Sequence, residues 1–148
     1  MIFRVLLILC AFGSFLIIKG QNLTIYKSPL NIDETAQKVI EGIQNKGLLF
    51  FEIVAHDKIA AERGQKIAPT RSILFEDPDL TTKLIICQQT TAIDLPLEFL
   101  VWEEEGDVYI GFIDPKFMKK RFLVIGCDET IQALTKLMIR LANDAIRE

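Results

Sequence analysis

The chain has 148 residues, of which half are hydrophobic and a quarter are charged, and its formal net charge is −3. This length suits one domain, and the low Gly and Pro content, 8 and 5 residues, excludes a disordered or collagen-like chain. The net negative charge argues against a general nucleic-acid binder, and a single histidine excludes a histidine-rich zinc site.

The first twenty residues differ from the rest of the chain. Arg4 precedes the uncharged, mainly Leu, Ile and Phe run Val5–Ile18, and polar character returns at Lys19. A positive charge followed by about 14 apolar residues is typical of a signal peptide and is shorter than the ~20 that span a bilayer. We predict that residues 1–20 are a signal peptide cleaved near Gly20 or, alternatively, an uncleaved membrane anchor. Either reading predicts an exported protein, in the periplasm or cell envelope if the host is bacterial.

Residues 21–148 are predicted to form one domain, which opens with a strand and a helix. Leu23–Lys27 alternates apolar and polar residues as a half-buried strand does. Asn31 and Glu34 match a capping box, and Gly47 is placed to end the helix. Between the cap and the glycine, the helix carries one apolar stripe, which consists of Ala36, Val39, Ile40 and Ile43.

The middle of the chain continues this alternation of strands and helices. Leu48–Val54 is a dense apolar run with two Phe, which predicts a buried strand. Asp57 is placed to cap a short helix that ends at Gly64. Thr70–Phe75 predicts a third strand, and Leu80–Gln88 predicts a short irregular helix.

The last third contains a hairpin and the longest helix. Leu97–Glu103 and Val108–Ile113 flank a glycine-containing turn, and a helical turn through Arg121 follows. Asp128 is placed to cap a final helix whose stripe consists of Ile131, Leu134, Met138, Leu141 and Ala145. The order of elements predicts an α+β fold, a two-layer sandwich whose mixed, mostly antiparallel sheet carries helices on one face.

Short motifs run through the domain in a fixed order. They are Ala55-His56-Asp57, Ala60-Ala61, Arg63-Gly64, Ala68-Pro69-Thr70, Leu74-Phe75-Glu76-Asp77-Pro78, Thr91-Ala92-Ile93-Asp94-Leu95-Pro96-Leu97, Val101-Trp102 and Phe112-Ile113-Asp114-Pro115. In order and spacing, about residues 24–124 resemble the family named domain of unknown function 302. The resemblance implies a small α+β domain, often a homodimer, without an established activity.

The chain departs from that family at two motifs. The family usually has Asp before the His, where this chain has Ala55. It usually has Gly-Asn-Pro after the Phe, where this chain has Glu76-Asp77-Pro78. A site that depends on that Asp, or on the glycine backbone, is expected to be altered here.

His56 is the first candidate functional residue, because it is the only side chain whose ordinary pKa lies near neutrality. It follows a predicted strand, a common place for functional groups, and the family pattern keeps a His at this position. Its alternative role is a hydrogen bond to the backbone where the next helix begins.

Asp94 is the second candidate, a carboxylate between apolar neighbours. It either shapes a turn through backbone N–H groups or pairs across a pocket with His56, Arg63 or Arg71. Thr70 and Arg71 offer a hydroxyl and a guanidinium to an anion; alternatively, Thr70 begins a strand and Arg71 points to solvent.

Cys87 and Cys127 are the cysteines that follow the leader. An oxidising compartment would permit a bridge, but nothing in the sequence brings their Cβ atoms together. We therefore expect two separately buried thiols, with the pairing left open.

These features favour an exported, homodimeric binding domain that holds a small molecule, an anion or a metal ion near His56, Thr70 and Asp94, with Arg63 and Arg71 as further candidates. One alternative is a structural or interaction protein of the envelope. Another is an enzyme in which Asp94 orients His56 as general base, but no nucleophilic triad can be assembled, so catalysis is not favoured. No nucleic-acid partner is expected, and membrane contact is expected only through an uncleaved N-terminal segment.

Overall fold

The computed structural model describes residues 22–147, so the predicted leader lies outside the described residues. The elements of the described part are β1 (Leu23–Ser28), α1 (Ile32–Asn45), β2 (Leu49–Ala55), α2 (His56–Glu62), β3 (Thr70–Glu76), α3 (Pro78–Cys87), a 3-10 helix (Gln89–Asp94), β4 (Leu97–Glu104), β5 (Asp107–Ile113), α4 (Lys116–Arg121) and α5 (Asp128–Ala145). Among residues 22–147, no helix combines the length and the apolar character needed to cross a bilayer.

The five strands form one sheet in the order β1-β5-β4-β3-β2. The predicted α+β class is confirmed, but every neighbouring pair is antiparallel, so the expected mixed sheet is wrong in that detail. The reason is that α1 carries the chain from one edge of the sheet to the other. The two strands that it connects, β1 and β2, therefore never pair with each other.

Helices α1 and α5 pack on one face of the sheet and enclose the core. The predicted capping box is present, since the Asn31 side chain accepts from the Glu34 N–H and the Glu34 side chain accepts from the Asn31 N–H. Aromatic rings fill the centre, where the ring centroid of Phe99 lies 5.5 Å from the ring centroids of both Phe75 and Phe112. The side chains with at most 1% exposure around them include Val39, Ile43, Ile73, Val101, Ile110, Leu134, Met138 and Leu141.

The opposite face of the sheet carries apolar side chains that remain accessible. Ile25 is 48% exposed there. Trp102 and Tyr109 stack with ring centroids 5.5 Å apart, and both are half-buried. Leu74 and Leu100 lie on the same face, because they alternate with core residues along β3 and β4. This face therefore has accessible apolar area.

Strand β2 is exposed, so its predicted burial is wrong. Leu49, Phe51 and Ile53 are 47%, 53% and 38% exposed. An apolar run does not reveal whether its strand lies at the centre or at the edge of a sheet, and β2 lies at the edge with β3 as its neighbour. A β-bulge interrupts its pairing between Phe50 and Glu52.

A disulfide bond joins Cys87 to Cys127, whose Cα atoms lie 6.5 Å apart. The expected separate thiols are therefore wrong. The bond connects the last residue of α3 to the residue that precedes α5, two points that only the packing of α3 brings together. Asp128 is the first residue of α5 rather than its cap, because Cys127 occupies the cap position.

Candidate functional site

A group of polar side chains surrounds the first half of β3, and we name Asp33, His56, Asp57, Arg71 and Ser72 the polar cluster. His56 opens α2 directly after β2, and its Nε2 lies 2.9 Å from Ser72 Oγ. The histidine is exposed, whereas Ser72 is only 6% exposed. His56 therefore bonds a buried side-chain hydroxyl rather than the backbone group expected for a structural histidine.

Arg71 is the centre of the charged part of the polar cluster and is 6% exposed. It lies on the helix-covered face of the sheet, whereas Ser72, the next residue of β3, lies on the opposite face. Its guanidinium forms ion pairs with Asp57 and, at 3.4 Å, with Asp33. It also donates to the Thr70 carbonyl oxygen at 3.3 Å. The alternative in which Arg71 points to solvent is therefore wrong, because α1 and α2 each supply a carboxylate that draws it inward.

Asp57 is held in its charged form by its neighbours. Burial alone would raise the pKa of this carboxyl, but the Thr70 N–H at 3.5 Å and the nearby Arg71 guanidinium lower it, and the net pKa lies below the ordinary value. Asp57 does not cap α2 as predicted, since α2 has no side-chain cap. It instead ties α2 to β3.

Thr70 and Arg63 contribute less than the sequence suggested. The Thr70 hydroxyl donates to the Ala68 carbonyl oxygen at 2.9 Å, which shapes the start of β3. Arg63 lies exposed just after α2, and within residues 22–147 it forms no ion pair. Neither side chain joins the polar cluster through an ion pair.

Asp94 lies toward the other end of the strands. It ends the 3-10 helix before Leu97, which pairs with Phe75, whereas the Ser72 partner of His56 pairs with Leu100 further along β4. The Asp94 carboxylate pairs with Arg121 of α4 at 3.0 Å. The structure does not bring Asp94 together with His56, Arg63 or Arg71. The general-base mechanism consequently lacks the orienting contact on which it depended.

Arg121 is the partner of Asp94 that sequence reasoning missed. Its signal was the basic run of α4, in which four of the six residues of K-F-M-K-K-R are cationic. The run indicated a basic surface, but not which carboxylate would face it.

Asp94 lines a cavity of about 390 Å³ beside strands β1, β4 and β5. The charged residues in its wall are two acids, Asp94 and Glu98, and Met118 and Met138 contribute flexible thioethers. The remaining lining residues are apolar or glycine: Leu23, Ile93, Leu97, Leu100, Gly111, Phe112, Ile113 and Pro115. The cavity continues into an adjoining groove that Phe117, Lys120 and Arg121 line.

The polar side chains do not form a metal centre in the described part of the chain. Among residues 22–147, no group of three or more His, Cys, Asp or Glu side chains is placed to hold a metal ion. The metal alternative therefore has no ligand set there to which it can be assigned.

The chain is similar to a protein family, to a solved structure and to curated proteins. The family model described as "Domain of unknown function DUF302" matches residues 24–141. The crystal structure of an uncharacterized DUF302 protein from Bacillus stearothermophilus superposes with a TM-score of 0.78 at 16% identity, over 86% of this chain and 100% of that chain. At that identity the likeness shows the fold alone.

Two curated relatives are named "Fluoride-specific ion channel FluC 1", one from Brucella suis and one from Brucella abortus. Each is 31% identical over 106 residues, which is 70% of this chain. The match spans 42% of the first relative and 39% of the second, so the chain covers about two fifths of their length.

Proposed function

The chain belongs to the DUF302 family, and from that premise we propose that it is a non-catalytic binding domain for a small apolar amine. The amine occupies the cavity beside Asp94. Its hydrocarbon body packs on the apolar wall, and its ammonium group pairs with the Asp94 carboxylate.

The observation that carries this proposal is the composition of the cavity wall. A volume of about 390 Å³ falls in the range of roughly 300–1,000 Å³ typical of small-molecule pockets. The charged groups in the wall, Asp94 and Glu98, are both acidic, which favours a cation. The surrounding apolar side chains favour a ligand with a hydrocarbon body.

Arg121 controls access to Asp94. The Asp94 side chain is 24% exposed and the Arg121 side chain is 61% exposed, so the arginine reaches the acid from the solvent side. Solvent-exposed ion pairs of this kind are weak. An ammonium group inside the cavity can therefore take the place of the guanidinium.

Calorimetric titration with three probes of equal chain length, octylamine, octanoate and octanol, tests the proposal. We expect octylamine to bind more tightly than the other two, and Asp94→Asn to weaken octylamine binding by about tenfold. Asp107→Asn is the matched control, because Asp107 is also a partly exposed carboxylate paired with a cation, Lys27 at 2.7 Å. Equal binding of octanoate, or an Asp94→Asn variant that binds as tightly as the parent, contradicts the proposal.

Export is part of the proposed function. The disulfide between Cys87 and Cys127 supports it, since such bonds persist mainly in oxidising compartments. A fusion of residues 1–25 to a reporter that is active only outside the cytoplasm should give signal. A silent reporter, with the full chain in the cytosol, contradicts export.

Homodimerisation is favoured by the accessible apolar face of the sheet around Trp102 and Tyr109. A second copy packed there would bury Ile25, which is 48% exposed. Sedimentation velocity should show that Ile25→Glu shifts a dimer toward monomer. Ile59→Glu on α2 is the matched control, because Ile59 is 49% exposed. A monomeric parent chain, or equal dissociation of both variants, contradicts this interface.

The names of the curated relatives favour a second candidate function, an accessory role to fluoride transport. The relatives are named as fluoride-specific channels, and this chain matches only about two fifths of their length. If the matched domain senses fluoride, sodium fluoride should shift amide resonances that sodium chloride leaves in place. Identical spectra in the two salts contradict fluoride binding.

A further inference from the structure

The most exposed large apolar side chains of residues 22–147 lie in two short segments. Ile86 and Ile93 flank the end of α3 and are 79% and 75% exposed. Leu123 and Ile125 precede α5 and are 78% and 92% exposed. We name these four side chains the apolar tip.

Three contacts hold the two segments of the apolar tip together. The disulfide joins Cys87 to Cys127. The Gln88 side-chain amide donates to the Phe122 carbonyl oxygen at 3.2 Å, and Asp94 pairs with Arg121 at 3.0 Å. The four apolar side chains therefore belong to one end of the molecule, two on α3 and the 3-10 helix and two on the loop before α5, and these segments are fixed to each other.

The local backbone holds Leu123 and Ile125 in the exposed position. Val124 between them is only 3% exposed, and its N–H donates to the Lys119 carbonyl oxygen at 3.0 Å. Leu123 has a φ of 53°, a left-handed conformation that is unfavourable for leucine. The buried valine anchors the loop, and its two neighbours project into solvent.

Cationic side chains border the apolar tip. The six residues of α4 include Lys116, Lys119, Lys120 and Arg121 and no acid. Lys116, Lys119 and Arg121 each have an aspartate within 4.0 Å, and Lys120 has none among the described residues. Because surface ion pairs are weak, these cations can exchange an aspartate for a lipid phosphate.

The described chain also begins at this end of the molecule. The Asn22 carbonyl oxygen accepts from the Asp114 N–H at 3.2 Å, next to the start of α4. Asn22 lines the same groove as Phe117 and Lys120. The first described residue therefore lies beside the cations of α4.

We propose that the apolar tip docks onto an anionic membrane surface. Its four side chains enter the interfacial region of the bilayer, and the α4 cations pair with anionic lipid headgroups. Interfacial binding of this kind combines buried apolar area with attraction to anionic lipids. The proposal does not depend on the amine ligand, although Ile93 also lines the cavity beside Asp94, and it does not depend on whether the N-terminal segment is cleaved or retained.

A tryptophan placed in the apolar tip reports insertion locally, so the full chain can be used whether or not its N-terminal segment enters the bilayer. Ile125→Trp in a Trp102→Phe background is mixed with phosphatidylcholine vesicles that contain phosphatidylglycerol and brominated lipid. Ile67→Trp is the control, since Ile67 is 47% exposed before β3. We expect a blue shift and at least about twofold stronger quenching at position 125 than at position 67.

Charge substitutions test the lipid-headgroup contact. Lys116→Gln with Lys120→Gln should weaken quenching at position 125 in the anionic vesicles, whereas the matched Lys58→Gln with Lys66→Gln should not. Equal quenching at positions 125 and 67 overturns the proposal, as does quenching that is the same with and without phosphatidylglycerol. Leu123→Ser, read with the tryptophan at position 125, should reduce quenching while the melting temperature stays unchanged, because the Leu123 side chain is 78% exposed.

Discussion

The two ends of the sheet each contain an aspartate–arginine pair, and the two pairs differ in where the arginine lies. In the polar cluster, the Arg71 side chain is 7% exposed and that of Asp57 is 21% exposed. In the pair beside the cavity, the Arg121 side chain is 61% exposed and that of Asp94 is 24% exposed. A buried arginine with two carboxylates ties elements together, whereas an exposed arginine leaves its partner open to exchange.

This difference separates an ion-pair group that joins elements from an ion pair that borders a cavity. The polar cluster connects α1, α2 and β3 through Asp33, Asp57 and Arg71, and its charged groups face one another. At the other end, Asp94 faces an apolar cavity, and apolar side chains stand in solvent nearby. The ion pairs of Arg71 therefore join α1, α2 and β3, whereas the end that contains Asp94 has an accessible cavity, in which we propose that a ligand binds.

The largest effect is expected from removing the disulfide bond at the Asp94 end. Cys87→Ser with Cys127→Ser opens a loop whose ends are 40 residues apart. The chain-entropy relation for a loop of this length gives a loss of about 4 kcal/mol in the free energy of unfolding. Denaturant unfolding measures the loss. Hydrogen exchange should quicken around α3 and the loop before α5 more than in β3, and a uniform change would contradict a local role.

The same substitution at Asp57 and at Asp94 should lower the free energy of unfolding by different amounts. Asp57→Asn should lower the free energy of unfolding by about 1–3 kcal/mol, because it leaves the buried Arg71 with only the exposed Asp33 as counterion. Asp94→Asn should change it by less than about 1 kcal/mol, because Arg121 returns to water. Equal losses at pH 7 would contradict the proposed difference between the two ends.

The contribution of Asp57 to the free energy of unfolding should depend on pH, which distinguishes it further from Asp94. Its folded-state pKa lies below the unfolded value, so its contribution is complete above the unfolded pKa of about 4 and is lost as pH falls through the folded pKa. The loss in unfolding free energy caused by Asp57→Asn should therefore be largest at neutral pH and smaller at acid pH. If the loss in unfolding free energy stays constant as the pH falls through the folded-state pKa, the carboxylate charge is not its cause.

The smallest effect is expected at His56. His56→Gln keeps a polar group near Ser72 and removes at most one hydrogen bond, that of Nε2 to Ser72 Oγ at 2.9 Å. The loss should be about 1 kcal/mol or less, and octylamine binding beside Asp94 should be unchanged. Thermal unfolding and the same calorimetric titration measure both. A variant that folds normally but no longer binds octylamine would contradict the separation of the two ends.

Local features of this chain could be predicted from the sequence, because neighbouring residues determine them. The Asn31–Glu34 capping box, the β4–β5 hairpin and the apolar stripe of α5 all appear where the pattern placed them. The α+β class followed from the order of these elements.

Long-range relations could not be predicted in the same way. The β2 segment is as apolar as a typical central strand. Its position at the edge of the sheet depends on the path of the chain through α1. The pairing of Asp94 with Arg121, and that of Cys87 with Cys127, depend on how α3, α4 and the 3-10 helix pack. The spacing of residues along the chain does not indicate how these elements pack.

The bulge in β2 has a consequence for how copies of this protein behave at high concentration. The segment L-F-F-E-I-V-A has high β propensity and no proline, and it lies on a sheet edge, a combination that favours fibre growth by strand addition. The bulge between Phe50 and Glu52 breaks the regular spacing that an incoming strand would need. Glu52 would also place like charges next to one another in a stack of identical strands. The irregular pairing of β2 thus makes this apolar edge a poorer template for strand addition than a regular strand would be.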